Sequence, residues 1–260
     1  MKKIFAMLSV LIMIFTGCGS ENDSRETIIV GFDESPLGYR NERGEIVGFE
    51  IDLAREAINR AGAKPEFKII HWNEKENELN SGNIDMIFNG MDITPERQEI
   101  MLFSKPYMDN RRVIVVKKGN PNEIVSEVDL DGKNVGVKAG TTAEFYFETE
   151  EGVKDKLKAL KTYDSDEKVF NALESGEIDA VVCDEILGRF ETIKHGKEFE
   201  VLNVTVGKMN EYGIGFRKDD NKLRDRIQAA FDSMVKDGTA KKISEKWFQA
   251  DLITRGGVIQ

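Results

Sequence analysis

Histidine and cysteine are nearly missing from this chain, with two of each in 260 residues. His71 and His195 are too few and too far apart for a His-based metal site. Cys183, inside the run VVCD, reads as a small buried hydrophobe rather than a nucleophile, and with Cys18 as its only possible partner no disulfide framework can be drawn. Positive charge is short as well: 37 Lys and Arg against 47 Asp and Glu leave a formal -10, which argues against a nucleic acid or an anionic membrane surface as partner. Beyond the N-terminus no apolar run is long enough to cross a bilayer, and nothing follows residue 260, so the sensing domain of a membrane receptor is not expected. No metal and no cofactor are called for.

What is present begins with an address. Lys2 and Lys3 precede an apolar run, Ile4 to Phe15, of about 12 residues, shorter than the roughly 20 needed to span a membrane. A signal peptide over residues 1–17 is therefore expected. It ends in Phe15-Thr16-Gly17-Cys18, which resembles the lipobox of bacterial lipoproteins with Phe15 in place of the usual leucine. Cleavage before Cys18 and attachment of a diacylglyceryl group would hold the mature chain on the outer side of the cell membrane. The alternative is an ordinary signal peptide in which Cys18 is incidental. Residues 18–26 are polar and unpatterned, a tether, and losing Lys2 and Lys3 takes the mature charge to -12 from -10.

The remaining chain, 40% hydrophobic over its whole length, can fill one large core or two small ones. Thr27 to Phe32 reads as a strand, Glu50 to Ala61 as a helix with Gly62 as its stop, Phe67 to Ile70 as a strand, Lys75 to Asn80 as a short helix and Ile84 to Phe88 as a buried strand. The plan then repeats. Asn134 to Lys138 is a strand running into Gly140-Thr141-Thr142, followed by helices from Ala143 and, capped by Ser165, from Asp166 to Glu174. Leu79-x-Ser81-Gly82-x-Ile84-Asp85 is echoed by Leu173-x-Ser175-Gly176-x-Ile178-Asp179, each copy entering a buried strand. Strands alternating with helices imply mostly parallel sheets. Two similar α/β lobes facing one another would enclose one site beyond the carboxyl ends of their strands, with Gly90 and Asp184 in matching places. The extended runs Val113 to Val116 and Val204 to Phe216 are expected to cross between lobes, which puts residues 27–115 and 207–260 in the first lobe and 116–206 in the second. Amphipathic helices over Asp220 to Lys236 and Thr239 to Phe248 close the first.

The stretch Asn89 to Arg97, NGMDITPER, carries the chemistry. Thr94-Pro95 is a helix start, since the hydroxyl caps free N–H groups and proline at the first position loses no hydrogen bond. Arg97 then falls in the first turn, where the helix dipole disfavours a cation. A guanidinium beside free amides suits a carboxylate, and Asp92 supplies the opposite charge five positions earlier, an arrangement that suits a zwitterion. An internal Asp92–Arg97 salt bridge is the other reading of the same residues.

Taken together, GEIVGFEIDLA (Gly44 to Ala54), SGNIDMIFNGMDITPER (Ser81 to Arg97), FSKPY (Phe103 to Tyr107), VGVKAGTT (Val135 to Thr142), GEIDAVVCDE (Gly176 to Glu185) and DGTAKKISEKWF (Asp237 to Phe248) resemble, in this order, the extracellular solute-binding proteins of family 3. These are the receptors of polar amino acid ABC importers. The resemblance implies a periplasmic-binding-protein-like fold, two α/β lobes joined by a two-strand hinge, acting as a monomer with a membrane ABC permease as partner. It implies that Arg97, with Thr142, takes the ligand α-carboxylate, that Gly90, Asp92 and Asp184 take the α-ammonium, and that Asp33 and Lys138 face the side chain. Relatives commonly carry an aromatic and two prolines after the position of Asp33; here Asp33 to Tyr39 is about two residues shorter, so an aromatic lid is in question, with Trp72, Phe88 or Tyr39 as substitutes.

The expected function is binding without chemistry: a free L-amino acid bridges both lobes and stabilises the closed form. Asp33 and Asp92 favour a cationic or amide side chain while Lys138 argues for a polar neutral one, so glutamine, cystine and arginine are candidates, arginine requiring that an acidic neighbour such as Glu144 turn Lys138 away. The rival is an extracellular enzyme of the same fold, dehydratase-like, with Asp33, Glu34 or Asp92 as its acid or base.

Overall fold

Two five-stranded sheets are laid on one plan. In the first the order is Lys64–Ile69, Thr27–Phe32, Met86–Ile87, Gly215–Arg217, Met101–Phe103, and in the second Ala159–Tyr163, Asn134–Lys138, Ala180–Asp184, Arg112–Lys117, Phe199–Val201. The leading three strands of each are parallel; the fourth runs antiparallel to the third, and the fifth antiparallel to the fourth. The sheets are thus mixed, and the parallel expectation holds for their first three strands. This is a computed structural model, and it describes residues 24–196 and 198–253. The expected signal peptide, Cys18 and the start of the tether lie outside the described residues.

The sequence echo has a structural meaning. Gly82 and Gly176 both sit at positive φ, 78° and 80°, ending their helices. Asp85 then accepts from the Ile29 N–H, and Asp179 from the Asn134 N–H, at 2.9 and 2.8 Å. Each aspartate so ties its strand to the parallel neighbour, Thr27–Phe32 or Asn134–Lys138, that stands second in its sheet. One residue earlier, Ile84 packs over Gly31 and Ile178 over Gly136 so closely that an added Cβ on either glycine would stand 2.4 Å from the isoleucine Cδ1. The glycines let the helix-to-strand turn press onto the sheet.

Val113 to Val116 does not cross between lobes. It lies inside Arg112–Lys117, paired on both sides within the second sheet and almost wholly buried, which is where four β-branched residues in a row belong. The crossing is made by Met108–Asn110, a short strand with little sequence signal, and by Asn210–Tyr212, which lies within the expected Val204 to Phe216; the two pair antiparallel. Among the elements that the sequence did not announce are the strands Met101–Phe103, Ala159–Tyr163 and Phe199–Val201 and the helix Glu185–Lys194. The helix Phe49–Arg60 and the C-terminal helices Asn221–Lys236 and Thr239–Phe248 pack on the first sheet around Phe49, Phe88, Ile227, Phe231 and Met234. Clusters centred on Val135, Val182 and Phe147, and on Phe170, Val181 and Phe199, fill the two faces of the second sheet.

Candidate ligand-binding cleft

Four parallel strands end at the cleft between the lobes. Asp33 follows Thr27–Phe32 and Asn89-Gly90 follows Met86–Ile87, while Lys138 and Asp184 are the last residues of their strands. A pocket opens between these strand ends. Gly90, Asp92, Arg97, Lys138, Thr142 and Asp184 all line it. Asp33 stands just behind, against Lys138.

Arg97 is placed by its own helix. Thr94 caps Pro95–Ile100 by accepting from the Arg97 N–H at 3.3 Å. The guanidinium then donates to the Asp92 carbonyl at 3.0 Å and, across the cleft, to the Gly140 carbonyl at 3.2 Å. It does not bond the Asp92 carboxylate, so the internal salt bridge is not formed. That carboxylate, 2% exposed, accepts instead from the Thr142 hydroxyl at 2.5 Å and from Asn110 at 3.0 Å. Asp184 accepts from the Tyr212 hydroxyl at 2.6 Å and also bonds Asn110. Burial and the nearby Asp92 charge push the Asp184 carboxyl well above the usual range.

Behind Gly90 lies a third carboxylate. Glu50, fully buried, accepts from the Gly90 N–H at 2.7 Å and from the Tyr107 hydroxyl; burial raises it from 4.5 to about 8. Gly90 holds φ 60°, and a Cβ there would meet Leu37 Cδ1 at 2.9 Å, so only glycine fits this corner. Among the described residues the three carboxylates thus receive hydrogen bonds from neutral groups alone. Arg112, which sequence reasoning passed over, braces the far wall by donating to the carbonyls of Val206, Lys208 and Thr142 with Tyr146 beneath its guanidinium.

At the other end, Lys138 Nζ bridges Asp33 Oδ2 at 2.5 Å and Asp166 Oδ2 at 2.8 Å. Burial alone would lower the ammonium, but the two carboxylates more than offset it and its pKa is raised. The acidic neighbour holding Lys138 is Asp166, not Glu144, which accepts from the Gly140 N–H. Of the aromatic substitutes only Trp72 lines the cleft, with the Lys75 ammonium 5.0 Å from its ring. Phe88 is packed against Tyr107 in the core and Tyr39 against Trp247 outside the cleft.

Two lobes on two crossing strands, with charged groups converging from both, define a binding protein that encloses a small ligand. The chain belongs to the bacterial extracellular solute-binding proteins, family 3, whose model matches residues 28–250. It is 31% identical to the L-cystine-binding protein TcyJ of Escherichia coli (strain K12), over 96% of this chain and 92% of that one. Among solved structures, an ABC uptake transporter substrate-binding protein from Streptococcus pneumoniae with bound histidine superposes with a TM-score of 0.82 at 32% identity, covering 88% of this chain and 95% of that one. An ancestral amino acid-binding protein, described as a precursor of cyclohexadienyl dehydratase, gives 0.75 at 32% identity, covering 85% and 95%.

Proposed function

We propose that this chain is the substrate-binding component of an ABC importer for a polar L-amino acid, which it encloses by closure of its two lobes. One observation carries the reading: a guanidinium bonded only to backbone carbonyls among the described residues faces the buried Asp92 and half-buried Asp184 carboxylates, whose donors among those residues are all neutral. That is the inverse of a zwitterion. Arg97 with Thr142 takes the α-carboxylate, and the Gly90 carbonyl, Asp92 and Asp184 take the three protons of the α-ammonium. Asp33 and Lys138 meet the side chain. Bonds already run between the lobes from Arg97 to Gly140, Thr142 to Asp92 and Lys138 to Asp33, so a ligand touching both sides favours the closed form through its differential affinity.

The groups nominated for an enzyme are otherwise occupied: Asp33 by Lys138, Asp92 by Thr142 and Asn110, and Glu34 by the Arg40 N–H. Binding alone is the function they support. The protein acts as a monomer, held to the outer face of the membrane through a lipid on Cys18, and presents the closed form to its permease. The lobes divide at the crossing strands Met108–Asn110 and Asn210–Tyr212, a few residues from the expected 115 and 207. Titration of the twenty amino acids and cystine against wild type and Arg97→Ala tests the site; unaltered affinity in a folded Arg97→Ala protein refutes it.

A further inference from the structure

Among the described residues three buried side-chain polar atoms have no hydrogen-bond partner, and only one of them, Asp166 Oδ1, belongs to a residue lining the cleft. Asp166 opens the helix Asp166–Ser175 and is 8% exposed. Its other oxygen is taken by Lys138 at 2.8 Å, and the same ammonium serves Asp33. One cation between two carboxylates leaves this group of three with one negative charge in excess; Lys194 also acts on Asp166, but it is half-exposed and is itself paired with Glu191. A buried acceptor without a donor, and a buried charge without its counter-charge, are both costly. A neutral donor on the ligand would cure the first alone; a cationic N–H donor cures both.

We propose that Asp166 determines specificity by accepting from a cationic group on the ligand side chain, so that the amino acid carried is a basic one. This deepens the amino-acid reading above and rests on it. Lys138 is then a positioning residue, holding Asp33 and Asp166 at the side-chain end rather than repelling a cation. Burial and the Asp33 charge raise the Asp166 carboxyl even beside Lys138, the direction expected where positive charge falls short. A cystine ligand fits less well, because its distal ammonium comes with a carboxylate and so brings no net positive charge to a side already in negative excess.

The test uses matched pairs that keep shape and remove charge: L-arginine against L-citrulline, and L-lysine against Nε-acetyl-L-lysine, titrated calorimetrically with L-glutamine and L-cystine on wild type and Asp166→Asn. Wild type should favour the cationic member of its better pair by roughly ten- to a hundredfold, the worth of a charge-assisted hydrogen bond. Asp166→Asn should bring that ratio towards one by weakening the cationic ligand, with the neutral partner little changed. Tighter binding of glutamine, cystine or either neutral analogue by wild type overturns the proposal while leaving amino-acid binding intact, and the wild-type comparison stands whether or not the variant folds. An unchanged ratio in a folded Asp166→Asn protein also overturns it. If no amino acid binds at millimolar concentration, both this proposal and the reading beneath it fall.

Discussion

Thr142 of the second lobe places its hydroxyl 2.5 Å from Asp92 of the first, joining the start of one helix to the loop before another across the cleft. The contact exists only when the lobes are together. Thr142→Val keeps the volume and removes the donor, leaving Asn110 as the Asp92 partner. Ligand affinity should fall roughly five- to thirtyfold, as for one buried hydrogen bond of about 1–2 kcal/mol. In solution scattering, saturating ligand should shrink the wild-type radius of gyration; Thr142→Val should need more ligand for the same change. An identical ligand dependence in both proteins would show that the bond plays no part in closure.

Among the described residues Arg97 is bonded to two carbonyls and to no carboxylate, so its removal strands none of their negative groups in the free protein. Arg97→Ala should leave the apo melting temperature nearly unchanged. Ligand affinity should drop more than about a hundredfold, since a desolvated carboxylate loses its partner at a cost on the order of 3–5 kcal/mol. The α-methyl ester of the same ligand should bind wild type poorly and lose little further in the mutant. A large loss of apo stability with modest change in affinity would assign the residue a structural role instead.

Glu50 makes stability depend on pH in an unusual direction. Its folded-state pKa is raised, by burial first, from 4.5 to about 8, so the folded chain binds this proton more tightly than the unfolded chain does. The contribution is fully present below about 4.5 and is lost as pH rises through about 8. The apo melting temperature should therefore fall between pH 5 and pH 8.5 (roughly the window those two values set). Glu50→Gln keeps an acceptor for the Gly90 N–H and should flatten that slope, leaving the part due to Asp184 and Asp166, whose carboxyls are also raised. A slope as steep in Glu50→Gln as in wild type would mean that Glu50 is ionised throughout.

Anchoring is tested at Cys18, which lies outside the described residues. Cys18→Ala should move the protein from the membrane fraction to the soluble one or stall its processing. Normal cleavage with unchanged membrane retention would remove the lipid from the account.

The sequence made the strands that carry the site legible because each ends in a recognisable loop. NGMDITPER and VGVKAGTT place Gly90, Asp92, Arg97, Lys138 and Thr142 where the cleft is found. Asp166 was visible only as the first residue of a helix capped by Ser165, because nothing local says that its side chain turns inward to Lys138. Glu50 was hidden in the same way: a carboxylate in the first turn of Phe49–Arg60 fits the helix dipole and needs no buried partner to explain it. Tyr107 and Tyr212, whose hydroxyls serve Glu50 and Asp184, lie more than a hundred residues apart in the chain. Only the pairing of the crossing strands brings them together. The strand Ala159–Tyr163 escaped notice because it is half-exposed at a sheet edge and shows no apolar face.

The fourth strand of each sheet reaches it after a crossing, and this fixes an order of completion in time. A polypeptide made N-terminus first has every strand of the second sheet, Arg112–Lys117 through Phe199–Val201, before Gly215–Arg217 exists. Until then Met86–Ile87 keeps an open edge, and the apolar stripe of Asn221–Lys236, with Ile227, Phe231 and Met234, is still to come. The lobe that starts first is finished last. A nascent chain stopped short of residue 217 would carry a finished second lobe beside an unsealed first one, with Arg97 already made but the cleft that gives it meaning still open on one side.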